Sequence, residues 1–317
     1  MSGQRKGLVG RFRYELRPYQ RTAATLGAAA IAPVVATRFD PVLTSTVTKI
    51  FLRLLPQRRA TVAASMAVDL NADPTELLRA ADRYWLQRVE TRWGQARGIS
   101  LTGWRPSVDL HGADHIFRAL ERGNGVILWR VSGHSAIPLN QALVDAGLAP
   151  VHLSSRGHLL LARPSRLWRF VGLKVAPLLR RGEDRLLRER IEINPRSAAG
   201  ATRQVVAALA ENSVVTIVGD LKSGAKTHTL QVNSATLKLA NGGAKIAERT
   251  GAALLPVTVR RVGPLAYRID VHDKLRVDPD SNARTRVEQR IEGFAAVLAD
   301  FIKSDPAQWP KWRAPLS

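Results

Sequence analysis

Two residues stand where a sheet with helices around it would do chemistry. His134 follows the apolar run Val126-Ile127-Leu128-Trp129, inside the segment Arg130-Val131-Ser132-Gly133-His134. Ligands of open α/β sheets gather in the crevice at the carboxyl ends of strands. An imidazole placed there can take a proton from a hydroxyl, because its ordinary pKa lies near neutrality. Position alone leaves a loop histidine without chemistry equally open. Asp220 ends a second apolar run, Ser213 to Val218, followed by Gly219. Lys222 and Lys226 come next and suit a phosphate or a carboxylate, with a solvated turn as the plainer alternative. The run Gly219 to Thr227 imitates a phosphate loop, but its lysine lies one residue too far from the second glycine, which excludes a nucleotide site there.

Arg156, Arg163, Arg166 and Arg169 form a further cluster, three of them recurring every third residue among Leu167, Trp168 and Phe170. Such a pattern fits snorkelling at a lipid interface or a grip on phosphates, and equally a solvated basic face. His111 and His115 are four apart and would share a helix face, but no third ligand has a sensible spacing, so no metal is expected. Trp309 and Trp312 read as packing anchors.

Composition narrows the partners. The 317 residues hold 48 Lys and Arg against 26 acidic residues, a net charge of +22. That excess calls for a polyanion, either a nucleic acid or an anionic lipid surface. Aromatics make up only 6%, and no nucleic-acid motif is present, which disfavours the first. With no cysteine, disulfides, thiolate metal sites and Cys nucleophiles are excluded.

The elements that must position these residues follow from periodicity. Residues 1–60 are basic and helix-prone; a small-residue apolar stretch, Thr22 to Ala36, is shorter than a spanning helix needs and contains Pro33. This segment is expected to lie in a headgroup region, with a surface helix packed on the domain and a solvated basic face as the plainer alternative; residues 61–317 form the α/β domain and 61–105 its helical lead-in. Thr75 to Arg97 has helical apolar spacing. Beyond residue 107, strands are expected at 107–110, 126–129, 150–154, 213–218, 252–260 and 267–272. Helices are expected at 113–121, around Leu139 to Leu143, and at 198–210, 243–249 and 287–302. Alternation of this kind predicts a mixed, largely parallel central sheet covered by helices on both faces.

Several separate blocks, in order, resemble the late acyltransferases of lipid A biosynthesis, a branch of the lysophospholipid acyltransferase superfamily. They are the segment Val108 to Gly125, the strand leading to Gly133-His134, and the strand ending in Asp220. Next comes the helix and strand from Gly243 to Val257, and last Asp305-Pro-Ala-Gln-Trp309 with Trp312-Arg313. The likeness covers roughly residues 50 to 315. It implies transfer of a fatty acyl group from acyl carrier protein or acyl-CoA to a lipid acceptor, on the cytoplasmic face of a membrane rich in anionic lipid. His134 and Asp220 would be the catalytic pair, with Arg156, Arg163 and Lys222 binding substrate; neither cofactor nor metal nor nucleic acid is implied.

One position departs from the family. Its signature places Asp or Glu five residues after the histidine, where it is taken to orient the imidazole, and here that position is Leu139. Asn140, Asp145 and Asp220 are the candidates to substitute. Restoring a carboxylate by Leu139→Glu is expected to raise the rate. The alternative is a protein that keeps the fold and binds lipid without turnover.

Overall fold

The computed structural model describes residues 39–99, 105–133, 136–155, 180–193, 198–220, 227–232 and 235–312. His134, Arg156, Arg163, Arg166, Arg169, Lys222 and Lys226 lie outside the described residues, as does the apolar stretch 22–36.

Three helices lead in: α1 (Asp40–Leu54), α2 (Pro56–Asp69) and α3 (Pro74–Ile99). Each begins with proline at its first or second position, where the missing N–H costs nothing and φ is already helical. The helix α2 spans residue 60, and its Val62, Ala63 and Met66 pack into the same core as Leu77, Ala81 and Tyr84 of α3.

Alternating strands and helices follow: β1 (Ser107–His111), α4 (Ala113–Leu120), β2 (Val126–Arg130), α5 (Ile137–Asp145), β3 (Val151–Ser155), β4 (Glu189–Ile193), α6 (Ala198–Ala210) and β5 (Val214–Val218). A hairpin of β6 (Thr227–Val232) and β7 (Ala235–Ala240) then precedes α7 (Gly242–Thr250), β8 (Ala253–Gly263), β9 (Ala266–Val271) and α8 (Ala283–Ser304). Asn282 caps α8, its side chain accepting from the Thr285 N–H at 3.0 Å.

The main sheet has seven strands in the order β1-β9-β8-β2-β5-β3-β4. The five from β8 to β4 run parallel; β9 returns antiparallel to β8, and β1 follows β9 in parallel. A mixed, mostly parallel sheet flanked by helices is therefore what the alternation predicted. Strand β4 and the β6–β7 hairpin are additions to that reading. The β4 sequence Glu-Arg-Ile-Glu-Ile is polar: among the described residues it pairs with β3 alone and buries little besides Ile191.

Both faces are covered. On one, Ile116 and Ala119 of α4 and Leu139, Ala142 and Leu143 of α5 pack with Val126, Leu128, Val257 and Ile269 of the sheet. On the other, α3, α6, α7 and α8 meet Ile127, Trp129, Val215, Ile217 and Leu254. Strand β2 is buried along its whole length, which is why it reads as a continuous apolar run. The turn before it needs Gly125, at φ +66°, since a Cβ there would stand 2.9 Å from the carbonyl oxygens of Leu209 and Ser213.

The histidine pair departs from expectation. His111 closes β1, whereas His115 belongs to α4, so the two do not share a helix face. Gly112, at φ +75°, breaks the chain between them, because a left-handed residue ends the strand before the helix starts. Among the described residues no group of three or more His, Asp or Glu is arranged to hold a metal.

Candidate functional site

The site is built on the pairing of β2 with β5. These strands are neighbours in parallel register, from Val126 opposite Val214 to Arg130 opposite Val218. Their carboxyl ends therefore deliver Val131-Ser132-Gly133 and Gly219-Asp220 to the same rim. Gly219 is required by packing: a Cβ would lie 2.5 Å from Phe294 Cζ and 2.6 Å from Trp129 Nε1. Those two rings stack at 4.3 Å between centroids and lock α8 beneath the rim.

Asp220 is 1% exposed and fully engaged. The Ser132 N–H donates to Oδ1 at 2.8 Å, and the Ser132 hydroxyl donates to Oδ2 at 2.6 Å. Trp309 Nε1–H also donates to Oδ2, at 3.0 Å, and the Lys311 ammonium stands 3.2 Å away. Burial works to raise the Asp220 pKa, but the Lys311 charge, both Ser132 donors and the Trp309 N–H outweigh it and hold the carboxyl below its ordinary range. Asp220 is thus an anionic clamp. It ties the end of β2, one residue short of Gly133, to the end of β5 and to the C-terminal element. His134 is outside the described residues.

The C-terminal element is itself braced. Its 3₁₀ turn Pro306–Gln308 follows Asp305, whose side chain accepts from the Ala307 N–H. Trp312 Nε1 donates to the Pro306 carbonyl, and the Trp309 and Trp312 rings meet edge to face at 5.0 Å. The Tyr84 hydroxyl of α3 donates to the Pro310 carbonyl at 3.1 Å. Sequence reasoning took the two tryptophans as packing anchors; Trp309 also reaches Asp220, which the spacing in the chain did not reveal.

A second charged group joins residues of β2, β3, β4 and β5. His152 of β3 shares a hydrogen bond with Thr216 of β5 at 2.7 Å. Arg190 of β4 donates to Glu183 and Asp184, at 2.8 and 2.6 Å. Burial would raise Glu183, yet His152, Arg190 and Arg130 draw it below the usual carboxylate range. Burial lowers the pKa of Arg130 at the end of β2, while Glu183 and Asp220 pull it back. None of these residues was singled out from the sequence; Arg130, His152 and Thr216 lie inside strands whose apolar pattern dominates.

The position of the missing carboxylate is now defined. Leu139 is 0% exposed and belongs to the apolar cluster with Val126, Leu128, Val257 and Tyr267. Next to it, Asn140 is equally buried, and among the described residues neither its Nδ2 nor its Oδ1 has a hydrogen-bond partner. Asp145 is half exposed and accepts from Gln141 Nε2 at 2.7 Å. Of the five site residues expected from the sequence, the described structure thus contains Asp220 alone, at the rim formed by the carboxyl ends of β2 and β5.

A mixed, mostly parallel α/β sheet with a clamped carboxylate at the ends of two central parallel strands is the class that fold and site define. Within it, residues 183–312 match the model of the family described as bacterial lipid A biosynthesis acyltransferase. The match takes in β4, β5 with Asp220, α8 and the Trp309–Trp312 element, and it supports an acyltransferase acting on lipid. No curated protein matches the chain.

Proposed function

We propose that the protein moves a fatty acyl group from a thioester donor, acyl carrier protein or CoA, to a hydroxyl or amine of a membrane lipid. His134 takes the acceptor proton as its oxygen or nitrogen attacks the thioester carbonyl. The tetrahedral oxyanion collapses by breaking the C–S bond, and the leaving thiolate accepts the proton from the imidazolium. Asp220 contributes by holding the β2 end in place through Ser132. Arg156, Arg163 and Lys222 are assigned to phosphate groups of the acceptor. The carrying observation is the clamp from Asp220 to Ser132, two residues before His134, within a chain whose 183–312 stretch matches the acyltransferase family.

Membrane attachment is part of the reading, and α1 supports it. This helix buries Asp40, Thr44 and Thr48, with Asp40 paired to Arg97 of α3, and turns apolar residues outward. Phe39, Val47, Ile50 and Leu54 are 44–74% exposed and, with Leu43, lie along one stripe at helical spacing. Lys49 and Arg53 flank it, both exposed. An apolar stripe with a basic border suits the headgroup boundary of an anionic membrane. Among the described residues no helix is long and apolar enough to cross one. Both donor types are cytosolic molecules, which puts the proposed site on the cytoplasmic face.

The alternative, a lipid-binding protein without turnover, draws on one observation, the apolar burial of Leu139. Acyl transfer by purified protein in anionic vesicles, with both donor types, separates the two. The expected result is turnover abolished by His134→Ala. Vesicle binding with no turnover supports the alternative, and an unaffected rate in His134→Ala removes His134 as the base.

A further inference from the structure

Strands β8 and β9 carry two arginines directly opposite each other. Arg260 pairs with Arg268 in their antiparallel register, and both alternate with Val259, Ile269 and Val271, which face the apolar cluster on the other side of the sheet. Like charges placed directly across a strand pair are destabilising. One carboxylate lies between them: Asp270 accepts from Arg268 Nε at 2.7 Å and stands 3.9 Å from Arg260 Nε. A single negative charge shared by two guanidinium groups leaves positive charge over.

The arginine pair opens on a groove of about 720 Å³, walled by the β1–α4 turn, the last residue of α8 and the segment after β9. Arg260 is held there over the Phe301 ring at 5.0 Å, its Nη1 donating to the Ser304 hydroxyl. Three imidazoles line the same groove. His111, opposite Asp270 on β1, bonds Asp109 at 2.6 Å. His115 receives an Arg118 N–H on Nδ1 at 2.8 Å and lies 3.6 Å from Asp273. His272 meets the Thr258 hydroxyl through Nε2 at 3.3 Å. Burial holds the His272 ring below the ordinary imidazole range; Asp270 and Asp300 pull against it, while Arg260 and His115 push the same way.

The carboxylates around the groove are engaged: Asp109 by His111, Asp270 by the arginines, and Asp273 by the Lys274 N–H at 2.7 Å. The spare capacity lies with nitrogen. Among the described residues, the terminal nitrogens of Arg268 and the Nδ1 of His272 make no hydrogen bond. Unused guanidinium N–H groups beside an imidazole, in a groove with room for a ligand, match the oxygens of a phosphate. We propose that this groove binds a phosphate group, gripped by Arg268 and Arg260 with His272 as a further partner. None of its residues belongs to the Asp220 clamp.

Calorimetry of the full chain with inorganic phosphate at pH 7 tests the grip. Arg268→Ala is expected to weaken binding about tenfold and Arg268→Lys to restore part of it, since lysine keeps the charge without the fork. The Arg268 side chain is half exposed, so the thermal midpoint of both variants should hold. In protein labelled at histidine, with the His272 signal assigned by its loss in His272→Gln, phosphate is expected to move the His272 titration to higher pH, because a neighbouring anion favours the charged ring. Absence of phosphate binding, equal binding in Arg268→Ala, or a His272 titration that phosphate leaves in place overturns the proposal. Given those results, flotation with phosphatidylcholine vesicles containing phosphatidic acid identifies the source. Weaker flotation of Arg268→Ala marks a lipid headgroup, and equal flotation marks a soluble phosphate compound. No readout involves acyl transfer, so the groove is judged independently of His134.

Discussion

Asp220 and Ser132, on the ends of neighbouring parallel strands, are joined by two hydrogen bonds, one from the serine N–H and one from its hydroxyl. The carboxylate needs both, because it is removed from water and shares its second oxygen with Trp309 and Lys311. A buried anion with four partners fixes the geometry around it more firmly than an apolar contact of the same size.

Replacing Asp220 by Asn takes the charge from beneath Lys311, which is itself only 20% exposed. Breaking such a buried pair costs about 3 kcal/mol. Urea unfolding of Asp220→Asn is expected to show a loss of that order, and acyl transfer is expected to fall with it. Ser132→Ala, which keeps the backbone donor, should cost about 1 kcal/mol. Equal losses in the two variants would mean that the Lys311 pairing contributes nothing.

The clamp also sets an acid limit on stability. Asp220 and Glu183 have folded pKa values below those of unfolded carboxylates, since their cationic partners and hydrogen-bond donors outweigh burial. A depressed folded pKa adds stability above the unfolded value, near pH 4, and that stability disappears as pH falls through the folded pKa. Urea midpoints should therefore hold from pH 7 to about pH 5 and drop steeply below pH 4. Asp220→Asn is expected to flatten that drop. An identical slope in the variant would place the acid sensitivity elsewhere.

Trp309→Phe keeps a ring of similar shape against Trp312 and deletes the indole donor to Asp220. The expected loss is about 1–2 kcal/mol by thermal unfolding, with the acid transition moved to higher pH because the carboxylate has lost one stabilising donor. A variant unchanged in both respects would reduce Trp309 to packing alone.

Packing around Leu139 reverses the expectation that a carboxylate there raises activity. Glutamate would place a charge among Val126, Leu128, Val257 and Tyr267. Leu139→Glu is therefore expected to destabilise by about 3 kcal/mol or more and to give no rate gain, whereas Leu139→Met should cost under about 1.5 kcal/mol. A stable, faster Leu139→Glu enzyme would show that this side chain reaches the loop after all.

The outward stripe of α1 separates lipid binding from folding. Ile50→Glu and Leu54→Glu change exposed positions, so thermal midpoints should move little, by about 0.5 kcal/mol at most. Flotation with anionic vesicles is expected to fall about tenfold, and more steeply at high salt, where the basic border is screened. Undiminished flotation would exclude α1 as the contact.

The sequence alone determined most of the elements and their order, because periodicity and turn residues are local; β4 and the β6–β7 hairpin carried no such pattern. The β2 run Val126 to Trp129 is apolar throughout since both of its sides are buried, and the helix at residues 198–210 appears with the bounds its pattern predicts. Asp220 was legible for the same reason, as the polar residue that ends an apolar strand. Only the tertiary structure decided who its partners are: Ser132 is 88 residues away and Trp309 is 89, and no local pattern encodes a meeting at such separation. The same holds for α1, whose residues look ordinary in the chain. Its polar face turns inward because Asp40 finds Arg97, fifty-seven positions on. Sequence patterns record the water each residue avoids, whereas charge pairs and clamps depend on which surfaces the folded chain brings together.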